Sequence, residues 1–258
     1  MQKHIIFFDI DGTLLDQHKK LPASAKQAIL DLQAKGHEVA IATGRAPFMY
    51  EELRKELGIN TYVSFNGQYV VLDGEVIYTN PLNHESLESL TEMAHSNDHP
   101  VVYLDEEDMK ANVPQHDHID ESIATLKLGQ FPSYYPEYFR ERSIYQSLLF
   151  CEKGEEKPYE EQFDHFDFIR WHPYSVDVIP AGGSKAEGIK KITDKLGIPS
   201  DRQVAFGDSL NDLEMLRDIE HSVAMGNGHD RAKEAAKYET DAVDNDGILK
   251  GLKKLGLL

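Results

Sequence analysis

"HIIFFDIDGTLLD", residues 4–16, begins with four apolar residues, Ile5-Ile6-Phe7-Phe8, and passes straight into Asp9, Ile10, Asp11, Gly12 and Thr13. The apolar run is too short for a helix and reads as a buried strand. It ends in two carboxylates two residues apart, with a glycine at once behind them. A strand with that ending asks for neighbours that bury its faces and for chemistry that uses its carboxylates.

The neighbours follow in the sequence. "SAKQAILDLQAKG" (24–36) sets Ala25, Ala28, Ile29 and Leu32 on one helical face, with Ser24 as a possible N-cap and Gly36 where a helix stops. "HEVAIATG" (37–44) is a second apolar strand. "PFMYEELRKELG" (47–58) reads as a helix closed by Gly58, and "TYVSFNG" (61–67) as a third strand. Alternating strand and helix predicts a parallel sheet with right-handed crossovers. "GQYVVLDGEVIYTN" (67–80) holds two short strands around Asp73-Gly74, a hairpin signal.

From about residue 81 to 180 the rhythm changes. A helix at 84–95, a strand at 100–104, a helix within 117–129 and antiparallel strands within 143–152 and 167–180 describe a separate α+β module. The α/β alternation then returns: a helix at 183–198, a strand at 203–208, a helix at 210–219, a strand at 221–227, a helix at 229–237, and a short strand and closing helix in 238–256. The expected fold is α/β: a Rossmann-like three-layer core on a parallel sheet, formed by residues 1–80 and 181–258. An α+β cap, residues 81–180, is inserted into it.

Composition narrows the function classes. Forty-five Asp and Glu against 27 Lys and Arg leave a formal charge of −18, which repels nucleic-acid phosphates and anionic membranes. Nucleic acid and membrane partners are therefore not expected. No stretch approaches the apolar length of a membrane span, and the N-terminus has no secretory pattern, so a cytoplasmic location is expected. The single cysteine, Cys151, lies in the apolar run "SLLFCE" without a basic neighbour and reads as a buried strand residue. The oligomeric state, monomer or dimer, is not legible.

In a parallel sheet, ligands bind beyond the carboxyl ends of the strands. Four ends carry polar groups here: Asp9 with Asp11, Thr43 with Gly44, Asn66 with Gly67, and Asp208 with Asn211 and Asp212. Lys185 opens the returning helix. Three aspartates, Asp9, Asp11 and Asp208, offer the hard oxygens that Mg²⁺ prefers. A carboxylate beside that metal can attack phosphorus. Lys185, the Thr43 hydroxyl and backbone N–H groups, that of Ile10 among them, supply donors to phosphoryl oxygens. A second carboxylate can protonate the leaving alkoxide and then deprotonate water. Gly12 and Gly44 would let the backbone approach the phosphate. "GGSK" lacks the spacing of a nucleotide P-loop. Asn66-Gly67 is either a plain turn or part of the crevice.

The four segments "DIDGT" (9–13), "ATGR" (42–45), "GGSK" (182–185) and "GDSLND" (207–212) resemble, in order, the motifs of the haloacid dehalogenase (HAD) superfamily. With "SFNGQYV" before the insertion and "GDSLNDLEML" after it, the chain is similar to the Cof-like, subfamily IIB, phosphatases over essentially its whole length. The resemblance implies a phosphoric monoester hydrolase acting through an aspartyl-phosphate on a small phosphorylated metabolite. It implies Asp9 as nucleophile, Asp11 as general acid/base, and Mg²⁺ on Asp9, Asp208 and the Asp11 carbonyl. Thr43, the Gly44 amide and Lys185 would hold phosphate. Asn211 would contact phosphate or a metal-bound water, and Asp212 would orient Lys185 or the metal's waters. Ala186 departs from the glycine of many relatives. A phosphomutase shares the same intermediate, and a phosphometabolite-binding regulator would need no acid at Asp11.

Other features read as structural. The histidines at 116, 118 and 172 lack a zinc spacing and are expected in solvated loops, as is the acidic stretch "DEEDM" (105–109). The aromatic cluster "FPSYYPEYF" (131–139) and Trp171 are assigned either to the core of the cap or to its substrate face.

Overall fold

The computed structural model describes residues 3–258, in the order β1 (Ile5–Phe8), α1 (Ala23–Ala34), β2 (Glu38–Ala42), α2 (Glu51–Leu57), β3 (Thr61–Ser64), β4 (Tyr69–Leu72) and β5 (Glu75–Thr79). There follow α3 (His84–Ser96), β6 (Val101–Leu104), β7 (Met109–Ala111), α4 (Asp117–Thr125), β8 (Ser133–Tyr134), α5 (Tyr138–Glu141), β9 (Gln146–Phe150), α6 (Lys157–Gln162), β10 (Phe166–His172) and β11 (Ser175–Pro180). The chain closes with α7 (Lys185–Leu196), β12 (Gln203–Gly207), α8 (Leu213–Asp218), β13 (His221–Ala224), α9 (Asp230–Ala235), β14 (Tyr238–Glu239) and α10 (Gly247–Lys254). Two compact units emerge. One holds the described residues up to Arg45, Tyr50–Tyr78 and Ser184–Leu258; the other holds Ala46–Met49 and Thr79–Gly183.

The first unit is built on a sheet of order β14-β13-β12-β1-β2-β3-β4-β5. It is parallel from β14 to β3, and β4 turns antiparallel. The opening apolar run is β1, paired on both edges and buried on both faces, which is why all four of its residues are apolar. One face packs Ile5, Phe7, Ala40, Val63 and Ala205 against Ile189 and Ile192 of α7 and Met215 of α8. On the other, Phe8 and Phe206 stack with ring centres 5.1 Å apart, and α1 packs on α10. Each of these side chains larger than alanine contributes about 1.5–3 kcal/mol on burial. Asp73 and Gly74, both with positive φ (50° and 82°), make the two-residue turn that joins β4 to β5.

Several expected elements are shorter than read, those over 47–58 and 61–67 among them. The helix expected over 47–58 starts at Glu51, because 47–50 is a 3₁₀ turn and Tyr50 has φ −136°. The third strand ends at Ser64; Phe65 and Asn66 take positive φ (51° and 52°) and curl the chain out of the sheet.

The second unit has a sheet of order β10-β11-β9-β6-β7-β8, antiparallel except between β7 and β8. One face is covered by Leu87 and Leu90 of α3 and Tyr159 of α6, packed on Tyr103, Leu149, Val176 and Val178. Cys151 lies buried in this layer, as expected. The expectation of a solvated 105–109 fails at Asp105, which is wholly buried. Its carboxylate accepts from the Tyr138 hydroxyl (2.5 Å), Arg142 Nε (2.6 Å) and the N–H groups of Glu107 and Asp108 (2.8 Å each). The histidines are also more engaged than expected. His118 stacks on Tyr174 with centres 4.2 Å apart, and His172 Nδ1 lies 2.8 Å from Ser122 Oγ. The 131–139 aromatics divide: Tyr138 and Phe139 enter the core, whereas Phe131 and Tyr134 are exposed. Among the described residues, no helix is long and apolar enough to cross a membrane.

Candidate active site

Strands β12, β1, β2 and β3 are adjacent and parallel, so their carboxyl ends lie along one edge. That edge gathers the residues singled out from the sequence. Asp9 continues β1, its N–H bonded to the Phe206 carbonyl at 3.0 Å. Thr43 and Gly44 follow β2, Asn66 follows β3, and Asp208 follows β12. Helix α7 begins at Lys185, with the Ser184 hydroxyl capping it by accepting the Glu187 N–H.

The Lys185 side chain is fully buried. Its Nζ donates to Asp9 Oδ1 at 2.5 Å and to Asp212 Oδ1 at 2.7 Å. Asp212 uses its other oxygen to accept the N–H groups of Asp208 and Ser209, both at 2.9 Å. Its carboxylate thus ties the lysine to the loop that carries Asp208. Thr13 Oγ1 donates to Asp208 Oδ1 at 3.0 Å. Oxygens of Asp9, Asp208 and Asp212 lie within 4.8 Å of one another.

Gly12 has φ +88°, and a Cβ there would overlap the Asp208 carboxylate. The expectation that Gly12 clears room for phosphate is corrected: the space is occupied by Asp208. The Asn227 amide donates to the Gly12 carbonyl at 2.8 Å and fixes this loop. Gly207 is the matching case on β12, since a Cβ there would lie 2.7 Å from the Asp212 carboxyl carbon. At Gly44 the neighbour is the Asn66 side chain, 3.1 Å from such a Cβ.

The Thr43 hydroxyl accepts the Arg45 N–H at 3.1 Å. Asn66 donates its backbone N–H to the Thr43 carbonyl (3.1 Å) and accepts at Oδ1 from Asn211 Nδ2 (3.2 Å). Asn66 is therefore more than a plain turn: its side chain ties the end of β3 to Asn211, in the loop that carries Asp208. Ile10 points its side chain into the core, and its carbonyl accepts the Leu15 N–H at 2.8 Å.

Two cations reach Asp11 without a pairing signal in the sequence. Arg45 donates from Nε and a terminal nitrogen to the two Asp11 oxygens, each at 2.7 Å, and Lys19 Nζ lies 2.5 Å from Oδ1. Arg45 was within the quoted "ATGR"; Lys19 lies in a polar loop that carries no signal of its own.

Electrostatics separate the two carboxylates of the opening motif. Burial pushes the Asp9 carboxyl well above the ordinary range; Lys185 opposes this, and Asp212, Asp208 and Asp11 add to it. Burial and then the Asp212 charge push Asp208 up to about 7. Burial also pushes Asp11 up, but Arg45 and Lys19 outweigh it and hold this carboxyl below its usual value. Burial lowers the Lys185 ammonium, yet Asp212 and Asp9 together raise it. Three crowded carboxylates against one lysine leave negative charge uncompensated. Hard oxygen donors with excess negative charge are what a divalent cation requires, so the residues fit Mg²⁺.

Residues 6–252 match the family model of the haloacid dehalogenase-like hydrolases. "Putative phosphatase YkrA" of Bacillus subtilis (strain 168) is 45% identical over 262 residues, with the whole of both chains covered. A hypothetical protein of Geobacillus kaustophilus HTA426 superposes with a TM-score of 0.95 at 52% identity, again over all of both chains. The HAD subclass IIB sugar phosphatase BT4131 superposes with a TM-score of 0.87 at 30% identity, over 99% of this chain and 100% of that one. The chain belongs to the haloacid dehalogenase-like hydrolases. Within them it is an enzyme of the Cof-like phosphatase group.

Proposed function

We propose that this enzyme is a Mg²⁺-dependent phosphatase of a small phosphorylated metabolite, a sugar or cofactor phosphate, working through an aspartyl-phosphate on Asp9. The observation that carries this reading is the buried Lys185, shared between Asp9 and Asp212 beside Asp208. That arrangement is negative enough to call for a cation and holds one carboxylate ready as a nucleophile.

Asp9 attacks phosphorus, and the bond to the leaving oxygen breaks. Asp11 gives that alkoxide its proton, then takes one from the water that cleaves the aspartyl-phosphate. Arg45 and Lys19 keep Asp11 ionised, the form the second step needs. An incoming phosphoryl dianion competes for the same cations and restores the proton affinity that the first step needs. Thr43, the N–H groups of Gly44 and Ile10, Lys185 and Asn211 hold the phosphoryl oxygens. Asp9, Asp208 and the Asp11 carbonyl would hold Mg²⁺, which when bound screens the repulsion between carboxylate and ester.

Residues 81–180 are proposed as the module that selects the substrate, and the setting as cytoplasmic. The BT4131 likeness supports a sugar phosphate as the first substrate to try. The test is phosphate release from a panel of phosphorylated metabolites, with Mg²⁺ and with chelator, for wild type, Asp9→Asn and Asp11→Asn. Release that needs Mg²⁺ and is lost in both variants is expected. Release by Asp9→Asn at the wild-type rate would remove Asp9 as nucleophile, and no release from any ester would sink the phosphatase reading.

A further inference from the structure

Gly12 separates two peptide groups of the loop behind Asp9. With φ at +88° and no Cβ, it is free to turn unless both neighbouring peptides are held. On one side the Gly12 N–H donates to the Leu15 carbonyl at 2.8 Å. The Asp11 carbonyl, proposed above as a ligand of Mg²⁺, belongs to the same planar peptide and points the opposite way, so this bond sets its line. On the other side the Gly12 carbonyl accepts from Asn227 Nδ2 at 2.8 Å, across 215 residues of sequence.

Asn227 is itself braced. Its Oδ1 accepts the Val243 N–H at 2.8 Å, and the adjacent Gly226 N–H donates to the Asp241 carbonyl at 3.1 Å. The same loop, residues 225–229, also reaches the end of β12. The Met225 N–H donates to the Gly207 carbonyl (3.0 Å) and the His229 N–H to the Asp208 carbonyl (2.8 Å). Gly228 packs so closely there that a Cβ would lie 2.9 Å from that Asp208 oxygen. One short loop therefore grips the backbone on both sides of the site, at Gly12 after β1 and at Asp208 after β12. An asparagine amide suits the place because one rigid group supplies both a donor and an acceptor, whereas a carboxylate only accepts. Asn227 is exposed and fills no space in the core, so what its two bonds fix is direction.

Mg²⁺ demands near-ideal octahedral geometry at about 2.0–2.1 Å, whereas Ca²⁺ accepts variable geometry at about 2.3–2.6 Å. A site that takes its ligands from a backbone carbonyl of one loop and a carboxylate of another depends on how firmly the two loops are held together. We propose that Asn227 is a positioning residue of the metal site. Through Gly12 it fixes the Asp11 carbonyl relative to Asp208, and it thereby favours Mg²⁺ over the larger Ca²⁺.

This inference rests on the Mg²⁺ reading of Asp9, Asp11 and Asp208, and the test separates the two. MgCl₂ and CaCl₂ are each titrated calorimetrically into the full chain, without substrate, for wild type, Asn227→Ala and Asn227→Leu. Leucine keeps the branched shape of asparagine with neither donor nor acceptor, and alanine removes it. A thermal melt in chelator identifies the variants that fold, and either one decides. The Kd for Mg²⁺ is expected to rise about tenfold or more, the scale on which metal ligands lose affinity with their hydrogen-bonding support. The Kd for Ca²⁺ should rise much less, so that the ratio of the two grows by about threefold or more. A smaller change in that ratio overturns the proposal, because a loss shared by both ions is only a loosened fold. Failure of both variants to fold would make Asn227 a structural residue and overturns it equally. A wild-type chain that takes up no Mg²⁺ overturns it together with the metal reading, and phosphate release by wild type with Mg²⁺ and with chelator, measured separately, reports on that reading alone.

Discussion

Arg45 grips Asp11 through two hydrogen bonds of 2.7 Å, one to each carboxylate oxygen, and joins the ends of β1 and β2 across 34 residues of sequence. Such a fork fixes direction as well as charge. Arg45→Lys keeps the charge and loses the fork; Arg45→Met loses both. We expect kcat/KM to fall by about tenfold in the first and a hundredfold or more in the second, on the scale of general acid–base contributions. Freed from Arg45, Asp11 binds its proton more tightly, so the basic limb of the kcat/KM profile, which its protonated form sets, moves to higher pH. Steady-state kinetics across pH 4.5–8 check both, and an Arg45→Lys profile identical to wild type would show that the fork is idle.

The metal-free protein should be less stable at pH 8 than at pH 5.5. Asp9 and Asp208 have folded-state affinities for protons above their unfolded ones, Asp208 up to about 7. Below the unfolded value of about 4 this costs nothing. Between about 4 and 7 the folded state binds more protons, so stability falls as pH rises. Mg²⁺ binds the ionised carboxylates and should raise Tm more at pH 8 than at pH 5.5. Melts with chelator and with Mg²⁺ at the two pH values measure this, with a metal-free difference of more than about 4 °C expected. Asp208→Asn should remove much of the slope; Asp177, also raised to about 7, retains a part. A flat profile in chelator would count against the charge excess.

Gly12→Ala places a methyl group on the Asp208 carboxylate and forces a side chain to φ +88°. The strain is of order 1–3 kcal/mol. The larger effect should be on Mg²⁺, because Asp208 must move. We expect the Mg²⁺ concentration for half-maximal activity to rise at least tenfold, with kcat reduced even at saturation. An unchanged Mg²⁺ requirement would mean that Asp208 is not a ligand.

Asp105 is the structural charge of the second unit. Asp105→Ala strips Tyr138 and Arg142 of their shared acceptor and frees two backbone N–H groups. Arg142 is 36% exposed and keeps Glu107, so the loss falls on the Tyr138 hydroxyl and the two N–H groups, about 1–3 kcal/mol for each one left buried without a partner. Phe131→Ser, at an exposed aromatic, should cost about 0.5 kcal/mol or less. Urea unfolding of both variants beside wild type measures the contrast.

Asp9, Asp11, Thr43, Lys185 and Asp208 were legible because each sits at a strand end or helix start marked by a switch from apolar to polar residues. Arg45 was legible as part of a motif but not as the partner of Asp11, since nothing in "ATGR" tells which carboxylate a guanidinium reaches. Lys19 was invisible, one lysine in a polar loop. Asp105 was misread for the converse reason: an acidic run looks solvated until an arginine and a tyrosine 30-odd residues away cover one of its members.

The sequence alone determined the alternation of β and α, and hence a parallel sheet whose ends present Asp9, Thr43 and Asp208, because apolar periodicity and glycine placement are local properties of the chain. Only the tertiary structure decided which charges neutralise which: Lys185 with Asp9 and Asp212, and Arg45 and Lys19 with Asp11. Only there did the space at Gly12 prove to belong to Asp208. Charge pairing and steric room act through distances between residues far apart in sequence, and those distances exist only once the strands have taken their order in the sheet.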